Sequence, residues 1–246
     1  MLTAVAGLQQ ELVLTDGLEF HLDVLDRSCY KGQGTAVTEL VGSNLARLVN
    51  GPVYDNDNGC MSFDGSNDYM AFNVSPGTGE FNPPAWETTF FTVEVWFRTD
   101  STINDGNYGC LVGNGNPFQM YQVADDKIEL YLVNGGFFVS GKKNDTAITD
   151  DVWNHYVLTR TDDGEGNSDS STYVHYLNGA ADGTFTSNSN TCRTSDNQGI
   201  HIGNTWSTNA NFCFGGDIGP VRVYDHALTA TEVVHNFNAQ RHRFGV

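Results

Sequence analysis

The chain has 246 residues, 39% of them hydrophobic and 12% aromatic, which suffices for a buried core and excludes a disordered chain; 27 glycines against 6 prolines with no triplet repeat exclude collagen. Thirty acidic residues against twelve basic ones give a net charge of −18, so a nucleic acid or an anionic membrane surface is repelled and no nucleic-acid partner is expected. No window approaches the ~18 consecutive apolar residues of a spanning helix, so membrane insertion is not expected either.

The opening MLTAVAGLQQELVLTDG lacks the pattern of a secretory signal. Its first basic residue is Arg27, and Gln9, Gln10 and Glu11 interrupt the apolar positions. The expectation is synthesis in a cytoplasm with no signal peptide. Residues 1–17 read as an N-terminal arm or edge strand of a single domain spanning 1–246, since no linker, repeat or composition shift marks a boundary. Cys29, Cys60, Cys110, Cys192 and Cys213 are an odd number at wide spacing with no CxxC pair, which predicts reduced and mostly buried thiols. A Cys192–Cys213 pair is the alternative and needs an oxidising destination.

Period-two alternation then recurs along the chain and predicts a β sandwich. Thr92 to Phe97 puts Val93, Val95 and Phe97 on one face and Thr92, Glu94 and Trp96 on the other, which suits a strand with one buried side. Ile128 to Val133 repeats the pattern, and Asn134-Gly135-Gly136 before Phe137-Phe138-Val139 predicts a hairpin. Further strands are expected at Val152–Arg160, at Tyr173–Leu177 with an Asn178-Gly179 turn, at Ile200–Ile202 and at Ile218–Tyr224. The single expected helix lies at about 229–240. Thr229 and Glu232 form a capping box, Leu228 and Val233 a hydrophobic staple, and the helix should pack on the edge of the sandwich through Val233 and Phe237.

Four segments in this order carry a resemblance: Met61-Ser62-Phe63-Asp64-Gly65-Ser66-Asn67-Asp68-Tyr69, Phe91 to Phe97, Trp153 to Arg160, and Gly216 to Tyr224 with the helix after it. They resemble the laminin G-like branch of the concanavalin A-like lectin and glucanase superfamily. The resemblance implies an all-β fold, a two-sheet antiparallel jelly-roll sandwich with one short C-terminal helix. Phe20-His21-Leu22-Asp23, Ser28-Cys29-Tyr30 and Asn50-Gly51-Pro52-Val53-Tyr54 resemble the version of this domain found in tailed-phage structural proteins.

The resemblance also implies a structural calcium, held by the Asp217 side chain and by backbone carbonyls at Gly65 and in the neighbourhood of Asp23, because hard oxygen ligands and a glycine able to take positive φ suit that ion. The other reading is that Asp64 and Asp217 cap turns by accepting backbone N–H groups. Asp55-Asn56-Asp57-Asn58-Gly59 begins like an EF-hand loop but has Gly59 and Ser66 where ligands belong, so it reads as a solvated turn. The stretch Asp162 to Asp169 reads as an exposed hairpin loop, with calcium binding the alternative on carboxylate density alone. His155, His175 and His201 lack metal-ligand spacing and read as satisfied strand histidines.

A glucanase of this superfamily is expected to present paired carboxylates on one strand face, about 5 Å apart in a retaining enzyme. Glu94 has Thr92 and Trp96 as same-face neighbours and Glu129 has Lys127 and Tyr131, so no such pair exists on either strand and a glycoside hydrolase is disfavoured. Two loops instead combine an aromatic plane with polar side chains, as a sugar site needs: Trp206 with Asn204 and Asn209, and Tyr108 with Asn107; the other reading is that Trp206 folds back to cover a sheet edge, as large aromatics are mostly buried. The expected function is a non-enzymatic virion structural protein of a tailed phage, a capsid decoration or tail appendage. Its partners are other virion proteins or copies of itself, together with a cell-surface glycan in host adhesion. A stand-alone carbohydrate-binding lectin is the alternative.

Overall fold

A computed structural model of the protein describes residues 12–72, 91–99, 108–114, 118–134, 137–162, 171–187, 199–205 and 210–246. In chain order the strands are β1 (Leu18–Leu22), β2 (Ala36–Thr38), β3 (Leu45–Val49), β4 (Val53–Asp55), β5 (Cys60–Asp64), β6 (Tyr69–Ala71), β7 (Phe91–Thr99) and β8 (Gly109–Gly113). They continue with β9 (Phe118–Val123), β10 (Lys127–Asn134), β11 (Phe137–Lys143), β12 (Asn154–Asp162), β13 (Ser171–Leu177), β14 (Ala180–Ser187), β15 (His201–Ile202) and β16 (Gly215–Tyr224), and end in helix α1 (Ala230–Phe244). Two antiparallel eight-stranded sheets result. The first runs β14-β13-β12-β7-β16-β5-β4 with β1 on β16, and the second runs β11-β10-β9-β8-β15-β6-β3-β2. This is the all-β sandwich with one C-terminal helix that the alternation and the resemblance predict.

Alternation explains how the core fills. Phe91, Val93, Val95 and Phe97 of β7 share one cluster with Leu111, Val112, Phe118, Met120, Ile128 and Leu130 of the facing sheet, and the Phe91 and Phe118 rings meet edge to face at 6.0 Å. Burying each such side chain stabilises the fold by ~1.5–3 kcal/mol. At the Asn178-Gly179 turn both residues take left-handed φ, 51° and 81°, which matches the right-handed twist of the β13–β14 hairpin.

The other face of β7 corrects the reading of a strand with one buried side. Thr92, Glu94 and Trp96 are fully buried as well, because α1 lies across the centre of the first sheet rather than on its edge. Phe237 and Phe244 stack on Trp96 at 5.8 and 4.4 Å, and Val233 joins Leu228, Val157 and Tyr224 in a neighbouring cluster. The expected capping box is present: Thr229 Oγ1 accepts from Glu232 N at 3.3 Å and Glu232 Oε2 accepts from Thr229 N at 2.7 Å. The helix runs four residues past the expected end, to Phe244, and Gly245 closes it at φ 71°. Arg241, His242 and Arg243 look like a polar tail in sequence, yet basic groups suit a helix C-terminus and Phe244 anchors the last turn.

The 1–17 segment lies outside the described residues up to position 11. From Leu12 to Gly17 it forms no strand but lies along α1, with Leu14 N donating to Asn236 Oδ1 and Leu12 O accepting from His235 Nε2, both at 2.9 Å. The four described cysteines are all buried. Burial pushes the Cys29 and Cys60 thiols up to about 12, so neither is a nucleophile. Cys192 lies outside the described residues, and Cys213 donates its thiol hydrogen to Ser66 O at 3.1 Å.

Candidate functional site

The expected calcium ligands are all described, and each carboxylate already has a partner. Asp217, the third residue of β16, accepts from Arg98 Nη2 at 2.5 Å and from Ser62 Oγ at 2.5 Å. Asp23 holds Arg243 through two hydrogen bonds of 2.8 and 3.0 Å, and that guanidinium also donates to Gly59 O at 2.6 Å. Gly65 takes φ 69° in the β5–β6 turn, where the Asp64 carboxylate accepts from Ser66 N and Asn67 N, the turn-capping role foreseen for it. Two cations thus stand where a divalent ion would need open oxygens, and among the described residues no group of three His, Cys, Asp or Glu side chains could hold a metal ion. The one side-chain ligand of the implied calcium, Asp217, is already engaged by Arg98 and Ser62, and so committed it does not fit that ion. Asp55 likewise caps its own turn, accepting from Asp57 N at 2.8 Å and Asn58 N at 3.3 Å, while residues 163–170 lie outside the described set.

Glu94 sits at the centre of the first sheet beneath α1. It accepts from Arg222 Nη1 at 2.6 Å, His155 Nε2 at 3.1 Å and Asn236 Nδ2 at 2.8 Å. Burial alone raises its pKa, but the Arg222 charge and the bonds from His155 and Asn236 outweigh it and lower the value to about 2. A carboxylate held ionised and closed off from solvent cannot protonate a leaving group. Its role is to tie three strands to the helix. Of the strand histidines, His155 bonds Glu94, His175 Nδ1 bonds the Tyr156 hydroxyl and His201 donates Nδ1–H to Gly199 O, so each has one ring nitrogen satisfied.

On the outer face of the second sheet, opposite the helix, the structure brings aromatic rings together. Because β8, β9 and β10 pair in register, Cys110, Tyr121 and Glu129 lie opposite one another, as do Gly113, Gln119 and Tyr131. Tyr108, just before β8, contacts Tyr121 at 4.7 Å and stacks on Phe212 at 5.3 Å with planes 14° apart; Tyr131 lies 6.4 Å from Tyr121. Tyr108, Tyr131 and Phe212 are half-buried, Tyr121 is buried, and burial with the Glu129 charge nearby keeps the Tyr121 phenol protonated. The four rings cluster with the Tyr108–Tyr121 and Tyr121–Tyr131 planes tilted by 59° and 37°, and the half-buried Tyr108, Tyr131 and Phe212 present a partly exposed aromatic platform over the buried Tyr121, a surface that can meet the C–H face of a sugar.

Of the expected glycan loops the described part is small: Tyr108 N donates to Asn211 O at 2.6 Å, two residues beyond the Asn204–Asn209 stretch. Trp206, Asn209 and Asn107 lie outside the described residues. Asn204 is fully buried and committed internally, its Oδ1 accepting from Thr205 N at 2.6 Å and its Nδ2 donating to Cys213 Sγ, so it shapes the loop rather than facing a ligand. Tyr121, Tyr131 and Phe212 escaped the sequence reading. The signal available was the alternation itself, which places Tyr131 and Glu129 on the face opposite Ile128, Leu130 and Leu132.

A family model described as the concanavalin A-like lectin/glucanases superfamily, Laminin_G_3, matches residues 64–234. No curated protein sequence matches the chain. Among solved structures, Trypanosoma rangeli sialidase in complex with sialic acid is similar with a TM-score of 0.63 and 16% identity, over 94% of this chain and 34% of that one. The binding domain of Paraclostridial Mosquitocidal Protein 1 gives 0.64 and 16%, over 91% and 52%. Domain 4 of AbnA, a GH43 extracellular arabinanase from Geobacillus stearothermophilus, in complex with arabinotriose, gives 0.61 and 15%, over 88% and 96%. The chain spans about a third of the sialidase and nearly the whole arabinanase domain, and identities this low establish likeness of fold alone.

Proposed function

Since this chain belongs to the Laminin_G_3 family of the concanavalin A-like lectin/glucanases superfamily, we propose that it is a non-catalytic carbohydrate-binding module whose ligand lies on the platform of Tyr108, Tyr121, Tyr131 and Phe212. That superfamily holds both enzymes and binding domains, so the choice rests on the site. One observation carries it: the platform's sheet has a single carboxylate, Glu129, on all eight of its described strands. Glycoside hydrolysis by the usual route needs two, one to donate a proton and one to attack or to activate water. In the first sheet the central Glu94 is ionised, sealed and neutralised by Arg222. The arabinotriose complex of the AbnA domain, which matches this chain over nearly its full length, is consistent with a domain of this size binding an oligosaccharide.

The setting proposed is the surface of a tailed-phage particle, as a capsid decoration or tail appendage, where glycan binding serves host adhesion. Its support is the resemblance of the Phe20–Asp23, Ser28–Tyr30 and Asn50–Tyr54 phrases, which build β1, the turn after it and the approach to β4. A glycan microarray probed with the wild-type chain tests the binding reading, a specific signal being expected and its absence counting against it. Antibody labelling of purified particles in negative stain tests the setting, and unlabelled particles would remove it.

A further inference from the structure

Glu129 lies inside the platform rather than beside it. It is opposite Tyr121 on β9 and Lys143 on β11, and two positions from both Tyr131 and Lys127 along β10. The residue is only 7% exposed. Its Oε1 accepts from Gly141 N at 2.6 Å and Ser140 Oγ at 3.2 Å, and these two donors fix the carboxylate plane. Gly141 presents that N–H with φ 69°, a conformation that glycine adopts without strain. Lys143, the nearest candidate counter-ion by register, turns instead to Asp125 Oδ2 at 3.0 Å. No described residue donates a hydrogen bond or a positive charge to the second oxygen, Oε2. A carboxylate that is more than nine-tenths buried, held in place and left with an open acceptor between tyrosines is built to receive a donor from outside.

Resting on the reading of the platform as a glycan site, we propose that Glu129 is its polar anchor and makes it selective for uncharged glycans. A ring hydroxyl donates to Oε2 while the ring's C–H face lies on the aromatic surface. The hydrogen bond is charge-assisted and therefore stronger than one to a neutral amide. The same charge discriminates. A uronic or sialic acid carboxylate brought to this place meets a like charge, with the cross-strand Lys143 committed to Asp125 and Lys127 two positions along β10 on the side away from Tyr131, on a chain of net charge −18. The occupant is thus a neutral pentose or hexose oligosaccharide whose hydroxyls are donors.

The probes are paired polysaccharides and glycans on one array, arabinan and galactan against polygalacturonate, and desialylated against sialylated N-glycans. Wild type should bind neutral members and their acidic counterparts about tenfold more weakly or not at all. Glu129→Gln keeps the shape and an acceptor for Gly141 N. It should weaken neutral binding about tenfold and narrow the neutral-to-acidic ratio, while Glu129→Asp keeps the charge and the ratio. Thermal melts on all three confirm folding. Equal or stronger binding of acidic members by the wild type, or a ratio unchanged in Glu129→Gln, overturns the assignment of Glu129. If acidic and neutral members bind alike yet Tyr131→Ala abolishes both, the anchor is wrong and the platform stands; binding that ignores Tyr131→Ala, or no binding at all, removes both.

Discussion

Lowering the pH from about 7 to about 5 should destabilise this sandwich by about 4 kcal/mol through two buried histidines alone. His175 is fully buried and His201 is 3% exposed. Burial penalises their charged forms and lowers each pKa from 6.5 to about 4; the opposing pull of Asp182 on His175 and of the Gly199 carbonyl on His201 is smaller. At pH 5 the unfolded imidazoles are almost fully protonated and the native ones almost fully neutral, so each linkage costs about 2 kcal/mol. The unfolded state binds more protons, hence stability falls as pH falls through the window between 6.5 and about 4. His21, half-buried and lowered to about 4 by burial and by Arg222, adds in the same direction. Typical domains hold only about 5–15 kcal/mol in total, so the loss is large. Urea titrations followed by tryptophan fluorescence across this range measure it directly. The expected slope from these two histidines is about 2.4 kcal/mol per pH unit near pH 5, and His201→Gln should remove about half of it. A folding free energy that changes by less than about 1 kcal/mol over the window would refute the buried-neutral assignment.

Glu94 acts in a lower window: with a native pKa of about 2 against 4.5 unfolded, the stability it contributes is present above pH 4.5 and lost as pH falls towards 2, which acid unfolding of Glu94→Gln should no longer show. Phe244→Ala removes the ring packed on Trp96 at 4.4 Å and Trp153 at 4.5 Å, and should cost about 3–5 kcal/mol by chemical denaturation; a loss under 1 kcal/mol would mean the last helical turn is not docked. Gly179→Ala places a methyl 3.0 Å from Phe237 Cδ1 at φ 81° and should cost at least the ~1–2 kcal/mol of left-handed backbone. With Asp217 and Asp23 each committed to an arginine, calcium and EDTA should leave the melting temperature unchanged, and a calcium-dependent rise abolished by Asp217→Asn would overturn that.

How far the sequence carries depends on the range of the interaction. The β7 strand, the β10–β11 hairpin and the Thr229/Glu232 capping box are local patterns, and each element is found where the residues indicate. What Glu94 does is not local. Its partners Arg222 and Asn236 lie 128 and 142 residues away, so a strand with a polar face could not be told from one whose polar face is itself sealed by a helix. The aspartates at 217 and 23 show the same limit, because Arg98 and Arg243 reach them only after the sheet and helix have assembled. The tyrosine platform was half legible. Tyr108 stood out in its loop, whereas Tyr121 and Tyr131 look like ordinary strand aromatics until register sets their strands side by side.

Titration calorimetry of an array-identified glycan into wild-type chain, Tyr131→Ala and Tyr108→Ala tests the platform most directly. The account predicts saturable one-site binding to the wild type and a loss of about 1–3 kcal/mol in each variant, with melting temperatures unchanged within a few degrees because both rings are only half-buried. Affinity undiminished in both variants would contradict it.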